Sequence, residues 1–174
     1  YAKEITVSGS VYPVTGVIHN KHYVVSGDSN NPNTIYYSGT NDIDDFTSTG
    51  SGSIKLDDKV IGLKSFRDDL IIFCKNSIYK LININDSSTV AIVPVTKNVG
   101  CLDNHSIQEI AGDLVFLSPD GVRTIAGTAR IGDVELGTVS RQIMSITETI
   151  ANSIDSFVVS SVVLRQKSQY RLFY

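Results

Sequence analysis

The stretch VIGLKSF-RDD-LIIFC, residues 60–74, predicts the architecture of this chain. It holds two short runs of β-branched and other apolar residues on either side of an Arg-Asp-Asp turn, the pattern of an antiparallel hairpin. Two more runs, residues 78–84 and 90–96, follow after turns rich in Asn, Asp and Ser. Simple alternation places Ile84 on the same face of the third run as Ile78. The whole segment is therefore predicted to form a four-stranded antiparallel meander.

The same pattern recurs along the chain at a nearly constant interval. Leu114 begins an apolar run that aligns with the run at Leu70, 44 residues earlier, and Tyr23 begins a related run 47 residues before Leu70. A period of about 45 residues with four strands per repeat is typical of β-propeller blades. We therefore predict an all-β fold, an incomplete β-propeller of four-stranded antiparallel blades. The prediction is a single partial domain over residues 1–174, with blade repeats at roughly 11–56, 60–96, 105–134 and 157–174.

One segment departs from the strand pattern. Its apolar residues recur every three or four positions, the spacing of one helical face: Val139, Ile143, Ile146, Ile150 and Ile154. With Ser140 as N-cap, this predicts one inserted amphipathic helix at about residues 139–151, packed on the propeller rim or reaching a neighbouring subunit. Because a closed propeller needs at least four blades and about three and a half are present, the chain is expected to be a fragment of a longer protein.

Composition narrows the classes of function. Of the 174 residues, 41% are hydrophobic and 19% are charged, which is a globular rather than a disordered composition. The net charge of −3 and the scattered basic residues argue against a dedicated nucleic-acid binder. The apolar runs are much shorter than the ~20 residues that span a bilayer, so no membrane insertion by this segment is predicted.

Side chains that often carry chemistry have simpler explanations here. His19 and His22 flank a predicted turn and lack further zinc ligands at a suitable spacing, so we interpret them as surface turn histidines. Residues 41–46 are rich in Asp, but the loop departs from the calcium-loop pattern, and a solvated turn is predicted. Cys74 and Cys101 are expected to be buried small side chains, with a single bridge between them left open.

A second motif also has a structural interpretation. Residues 118–121, Ser-Pro-Asp-Gly, resemble part of the Asp-box of sialidase-type propellers, but the chain contains no Trp and the glycine lies one place early. A hairpin turn explains the same residues. No catalytic, cofactor-binding or metal-binding residue is predicted, and no cofactor is expected.

Several segments together resemble a known family. The strongest are KNVGC at residues 97–101 and DLVFLSPDGVR at 113–123, joined by Ser106-Ile107. Weaker ones lie at residues 35–46, 61–79 and 139–143. From about residue 17 onward, the chain resembles the propeller region of tail proteins from short-tailed bacteriophages: the nozzle or tail tubular protein B group and the related phage stabilisation proteins.

This resemblance implies a non-enzymatic structural role in the virion. Members form homo-oligomeric rings, commonly hexamers, at the distal end of the phage tail, bind tail adaptor proteins and form a conduit for genome ejection. DNA would pass in transit without specific binding, and assembly would take place in the host cytoplasm. Two alternatives stay open: a carbohydrate-binding or glycan-degrading β-propeller, and a cellular protein-interaction propeller.

Overall fold

A computed structural model describes residues 11–126, 144–156 and 158–174. The fold is mostly β, with antiparallel sheets and an α-helix. The chain divides into two compact units, one of residues 1–74 and 79–94 and the other of residues 75–78 and 95–174. Within the described ranges no closed barrel or propeller ring is present.

The first unit contains two four-stranded sheets in which the strands are neighbours in chain order. The first sheet consists of β1 (Thr15–His19), β2 (His22–Ser26), β3 (Thr34–Tyr37) and β4 (Gly52–Lys55). The second consists of β5 (Val60–Phe66), β6 (Asp69–Cys74), β7 (Ile78–Ile82) and β8 (Ala91–Thr96), whose last two residues belong to the second unit, as does Ile78. The meander predicted over residues 60–96 is confirmed.

The second unit holds two smaller sheets and the helix. The third sheet is β9 (Gln108–Ile110), β10 (Asp113–Ser118) and β11 (Gly121–Thr124), and the fourth is β12 (Ser160–Leu164) with β13 (Gln169–Phe173). The helix α1 spans Met144–Asn152. Short 3-10 turns lie at Asn104–Ser106, Ile154–Ser156 and Arg165–Lys167.

Two-residue turns determine the register of several hairpins. His19 pairs with His22 across Asn20 and Lys21, whose φ angles are 45° and 69°. Left-handed conformations at both central residues define a type I′ turn, whose twist matches that of the flanking strands. Pro119 and Asp120 form the turn between β10 and β11, as the sequence predicted.

The apolar core of the first unit lies between its two sheets. Alternate residues of β2 and β6 supply it, among them Val24, Leu70 and Ile72, all fully buried. Ile84 belongs to this cluster together with Tyr79 and Leu81, so its predicted placement with Ile78 is wrong. The reason is local: β7 ends at Ile82, and Asn83 has a φ of 58°, which interrupts the alternation.

The helix prediction is confirmed for residues 144–151, while residues 139–143, with the proposed cap Ser140, lie outside the described residues. Ile150 is buried against β10 and β11, and Ile154 packs at the edge of the same cluster, beyond the end of the helix. Ile146, however, is 45% exposed, whereas Thr147 is buried. The buried stripe therefore runs through Thr147 and Ile150, and the expected position of Ile146 on it is wrong.

Two buried phenylalanines provide a test of this packing. Phe73→Ala and Phe116→Ala are each expected to lower the free energy of unfolding by about 3–5 kcal/mol, because each leaves a cavity where a fully buried ring stood. Urea denaturation followed by circular dichroism measures the loss. Phe173→Ala is the matched control, since that ring is 52% exposed and its removal is expected to cost little. Unchanged stability in both core variants would contradict the burial of β6 and β10.

Candidate functional site

A polar cleft of about 590 Å³ opens on the surface of the first unit. Three connections form it: the β1–β2 turn, the β5–β6 turn and the segment between β7 and β8. The residues that line it are mostly amides and carboxylates: Asn20, Asp68, Asp69, residues 82–86 and Thr89. We call this feature the cleft. Its side chains can donate and accept hydrogen bonds, which suits a small polar ligand better than an apolar one.

Most carboxylates of the cleft already have partners. Asp86 accepts hydrogen bonds from the backbone and hydroxyl of Ser88, at 2.9 and 2.6 Å, and from the hydroxyl of Thr89 at 2.8 Å. The bonds from Ser88 and then Thr89 lower the pKa of Asp86. Asp69 forms an ion pair with Lys80 at 3.2 Å. Nowhere in the described ranges do three or more His, Cys, Asp or Glu side chains gather in a way that could hold a metal ion.

Two buried histidines lie beside the cleft. His19 is 3% exposed and His22 is 0% exposed, so the interpretation as surface histidines is wrong. The two residues are direct cross-strand partners and therefore share a face of the first sheet, the face that also carries Val17 and Val24. That face packs on the second sheet. Strand alternation, rather than closeness to the turn, decided their burial.

Both imidazoles reach across to the second sheet. Nδ1 of His19 lies 2.9 Å from Oγ of Ser65 on β5. Nδ1 of His22 donates to the carbonyl of Ser38 at 2.6 Å, so Nε2 of the neutral ring accepts, and the hydroxyl of Thr40 lies 3.2 Å from it. Oδ1 of Asn85, which lines the cleft, lies 3.1 Å from the same nitrogen. The pair thus joins the two sheets of the first unit through polar contacts in an otherwise apolar interface.

The acidic loop at residues 41–46 is a structured turn. Oδ1 of Asp45 accepts hydrogen bonds from the backbone and hydroxyl of Thr47, each at 2.7 Å, and from the backbone of Ser48 at 3.1 Å. The hydrogen bonds from Thr47 are the main reason that the pKa of Asp45 lies below its ordinary value. Phe46 is buried against Val25 and anchors the loop. The carboxylate thus stabilises the turn, in agreement with the sequence interpretation.

A polar hub in the second unit is centred on Ser106. Its Oγ donates to the carbonyl of Asp103 at 2.6 Å and accepts from the backbone of Leu117 at 3.1 Å. The hydroxyl of Tyr170, on β13, donates to the Ser106 carbonyl at 2.8 Å. Burial is the main cause that raises the pKa of Tyr170, so the hydroxyl stays protonated. The hub ties the third sheet to the fourth.

The two cysteines are free thiols, and both are buried. This answers the question of a bridge that the sequence left open. Burial raises the pKa of Cys101 to about 12, and the thiol contacts the Asp103 carbonyl at 3.3 Å. A thiol held in this neutral form is a poor nucleophile and a poor metal ligand.

An arginine that sequence reasoning grouped with the scattered basic residues lies in the interior. Arg123 is 1% exposed, and its guanidinium forms two hydrogen bonds with the carboxylate of Asp120, Nε to Oδ1 at 2.8 Å and a second to Oδ2. The sequence feature that could have predicted this ion pair is the three-residue separation between Asp120, in the β10–β11 turn, and Arg123, on β11. Asp120, the residue that invited comparison with an Asp-box, therefore neutralises a buried cation.

Asp120→Asn tests this pair. The variant leaves the buried guanidinium without its counter-charge, and the free energy of unfolding near neutral pH is expected to fall by about 1.5–3 kcal/mol, the range for hydrogen bonds to charged groups. Asp69→Asn is the matched control, because its partner Lys80 is partly exposed and such pairs contribute about 0–1 kcal/mol. Equal losses in the two variants would contradict the special role of the buried pair.

The pH dependence of this loss follows from the same contact. The hydrogen bonds from Arg123 are the main cause that lowers the pKa of Asp120 below its ordinary 3.8. The stabilisation is therefore present above 3.8 and is lost as the pH falls through the lower folded-state value. The stability gap between the parent chain and Asp120→Asn is expected to close in strong acid, as measured by urea denaturation across the acid range.

Comparison with known proteins does not assign these features to a family. A search against protein-family models and a search of curated proteins each returned no match to this chain. The geometry of the cleft and of the buried polar clusters, together with the resemblance of the sequence segments described above, is the basis for the function inferred below.

Proposed function

We propose that this chain is a non-enzymatic structural module of stacked propeller-type blades, and that it forms part of the tail nozzle of a short-tailed bacteriophage. One observation carries the proposal: β6 is buried on both faces. Leu70 and Ile72 belong to the core shared with the first sheet, while Ile71 and Phe73 point to the opposite face and are 4% and 0% exposed. A sheet covered on both sides is what blade stacking requires.

Strand β10, which aligns with β6 at an interval of 44 residues, supports the same interpretation. Val115 and Leu117, which align with Ile71 and Phe73, are buried in the cluster that also contains Tyr170 and Leu172 of the following sheet. Within its unit each sheet thus packs on its neighbour in chain order, and the inward and outward residues follow the 44-residue repeat. Stacked repeats of this kind bury a shared core that no repeat buries alone.

The buried polar side chains favour a scaffold over an enzyme. His19, His22, Ser106 and Arg123 are each engaged by partners inside their own unit, and most of these contacts join one strand or sheet to another. A catalytic group needs a free atom directed at a substrate. These groups instead use their hydrogen-bonding atoms to hold strands and sheets together, as expected in a structural protein.

The assignment to a phage tail comes from the sequence resemblance. It includes a homo-oligomeric, commonly hexameric ring, contact with tail adaptor proteins, and DNA in transit through the centre. The charge of the chain is compatible with a conduit: the net charge is −3, and the cleft carries carboxylates. Such a surface does not retain phosphate groups.

Electron microscopy tests this proposal. The full-length protein that carries this chain is expected to form rings with a central hole, and purified phage particles are expected to show matching density at the tail tip. Antibodies against this chain would label that end of the particle. Monomeric discs, with no label on any tail, would overturn the nozzle assignment.

The cleft favours carbohydrate binding as a second candidate function. Neighbouring amides and carboxylates, such as Asn83 and Asp68, can hydrogen-bond sugar hydroxyls. The described lining contains no aromatic side chain for a sugar ring to stack on. Under the nozzle proposal, a carbohydrate array probed with the chain is expected to stay blank. Binding that is lost in Asp68→Ala and kept in Asp42→Ala, an exposed residue outside the cleft, would favour the second candidate instead.

A further inference from the structure

The β1–β2 hairpin connects the two sheets of the first unit through two buried imidazoles. His19 contacts Ser65 of β5, and His22 contacts Asn85 of the β7–β8 segment. Both histidines are at most 3% exposed. Because no other residue type changes its charge near neutral pH at its ordinary pKa, a buried His19 at this sheet–sheet contact makes the contact sensitive to pH.

The two hydrogen-bond contacts of His19 match the neutral ring. Nε2 of His19 lies 3.2 Å from Nδ2 of Asn20, and an amide nitrogen can only donate, so Nε2 must accept. Nδ1 then carries the proton and donates to Oγ of Ser65. A second proton would place an N–H of the ring against the N–H of Asn20. Protonation therefore breaks this hydrogen bond as it stands, and it places a charge on a ring that is only 3% exposed.

The groups around His19 shift its pKa in opposite directions. Burial is the largest cause and lowers the pKa of His19; His22, its cross-strand partner, lowers it further. Asp69 and Asp68, from the β5–β6 turn, raise it, and Asp69 is itself paired with Lys80 of β7. The net direction is downward. The folded chain therefore opposes the protonation of this ring.

We propose that the His19–His22 hairpin is an acid-sensitive latch that holds the first sheet on the second. With His19 neutral, the contacts with Asn20 and Ser65 are intact and the latch is closed. With His19 protonated, the contact with Asn20 is lost and a charged ring lies buried between the two sheets, which weakens the hold of the hairpin on β5. Because Asn20 and Asn85 also line the cleft, opening changes the shape of the cleft.

The direction of the pH effect follows from linkage. The folded-state pKa of His19 lies below the ordinary value of 6.5, so the unfolded chain binds the proton more readily. The stability contributed by the neutral ring is fully present above 6.5 and is lost as the pH falls through the lower folded-state value.

Urea denaturation at about pH 7.5 and about pH 5.5, either side of the ordinary histidine pKa, tests the latch. The midpoint of the parent chain is expected to fall in acid, and most of this fall should vanish in His19→Asn, whose amide can still donate to Ser65. His105→Asn is the control, since His105 is an exposed histidine paired with Asp103. It is expected to keep the pH dependence of the parent chain. A His19→Asn variant as sensitive to acid as the parent would overturn the proposal.

A second measurement needs no variant. In an NMR titration of the unmodified chain, the His19 ring is expected to titrate below 6.5, and the amides of Asn20 and Ser65 should shift with the same midpoint. A His19 ring that titrates at or above 6.5, or a titration that leaves both amides unmoved, would contradict the latch. This outcome is independent of the phage assignment, because it depends only on contacts within the first unit.

Discussion

The rest of this structure is organised around β6, a strand that is buried on both of its faces. In β6, successive residues alternate between the core shared with the first sheet and the opposite face of the strand, and five of its six residues are buried. A slip of this strand by one residue would therefore exchange the side chains on its two buried faces. The hairpin turns, the bulge between Val60 and Gly62 and the position of the first sheet all conform to that register.

Polar groups inside the protein follow from the same constraint. A side chain that alternation directs into a core must bring its own hydrogen-bond partners, because an unpaired buried polar group costs about 1–3 kcal/mol. His19 meets this requirement with Ser65 of the second sheet, His22 meets it with the carbonyl of Ser38 and the hydroxyl of Thr40, and Arg123 meets it with Asp120. The apolar core holds the strands together, and these polar contacts fix the orientation in which they pack. At His19 the contact also depends on pH.

These buried contacts explain the fold more directly than they explain the function. A module whose buried polar groups are satisfied internally presents its surface, rather than a reactive centre, to its surroundings, and this is the physical content of the scaffold proposal. The cleft is the surface feature that stands apart, with amides and carboxylates contributed by three separate connections. Its link to the two histidines means that a polar ligand in the cleft and a proton on His19 would act on the same loops.

The sequence alone determined the strand hairpins, their turns and their interval, because alternation, turn residues and spacing are local properties. The β10–β11 turn and the helix over residues 144–151 were predicted on that basis. Which turn-flanking side chains are buried depends instead on long-range packing. His19 and His22 lie near a turn yet on the core face, and Arg123 enters the interior because Asp120 can meet it there. Ile146 is exposed because it is Ile150 that the helix packs against the neighbouring sheet. Each depends on what packs against the residue from distant parts of the chain, and a local pattern carries no information about that.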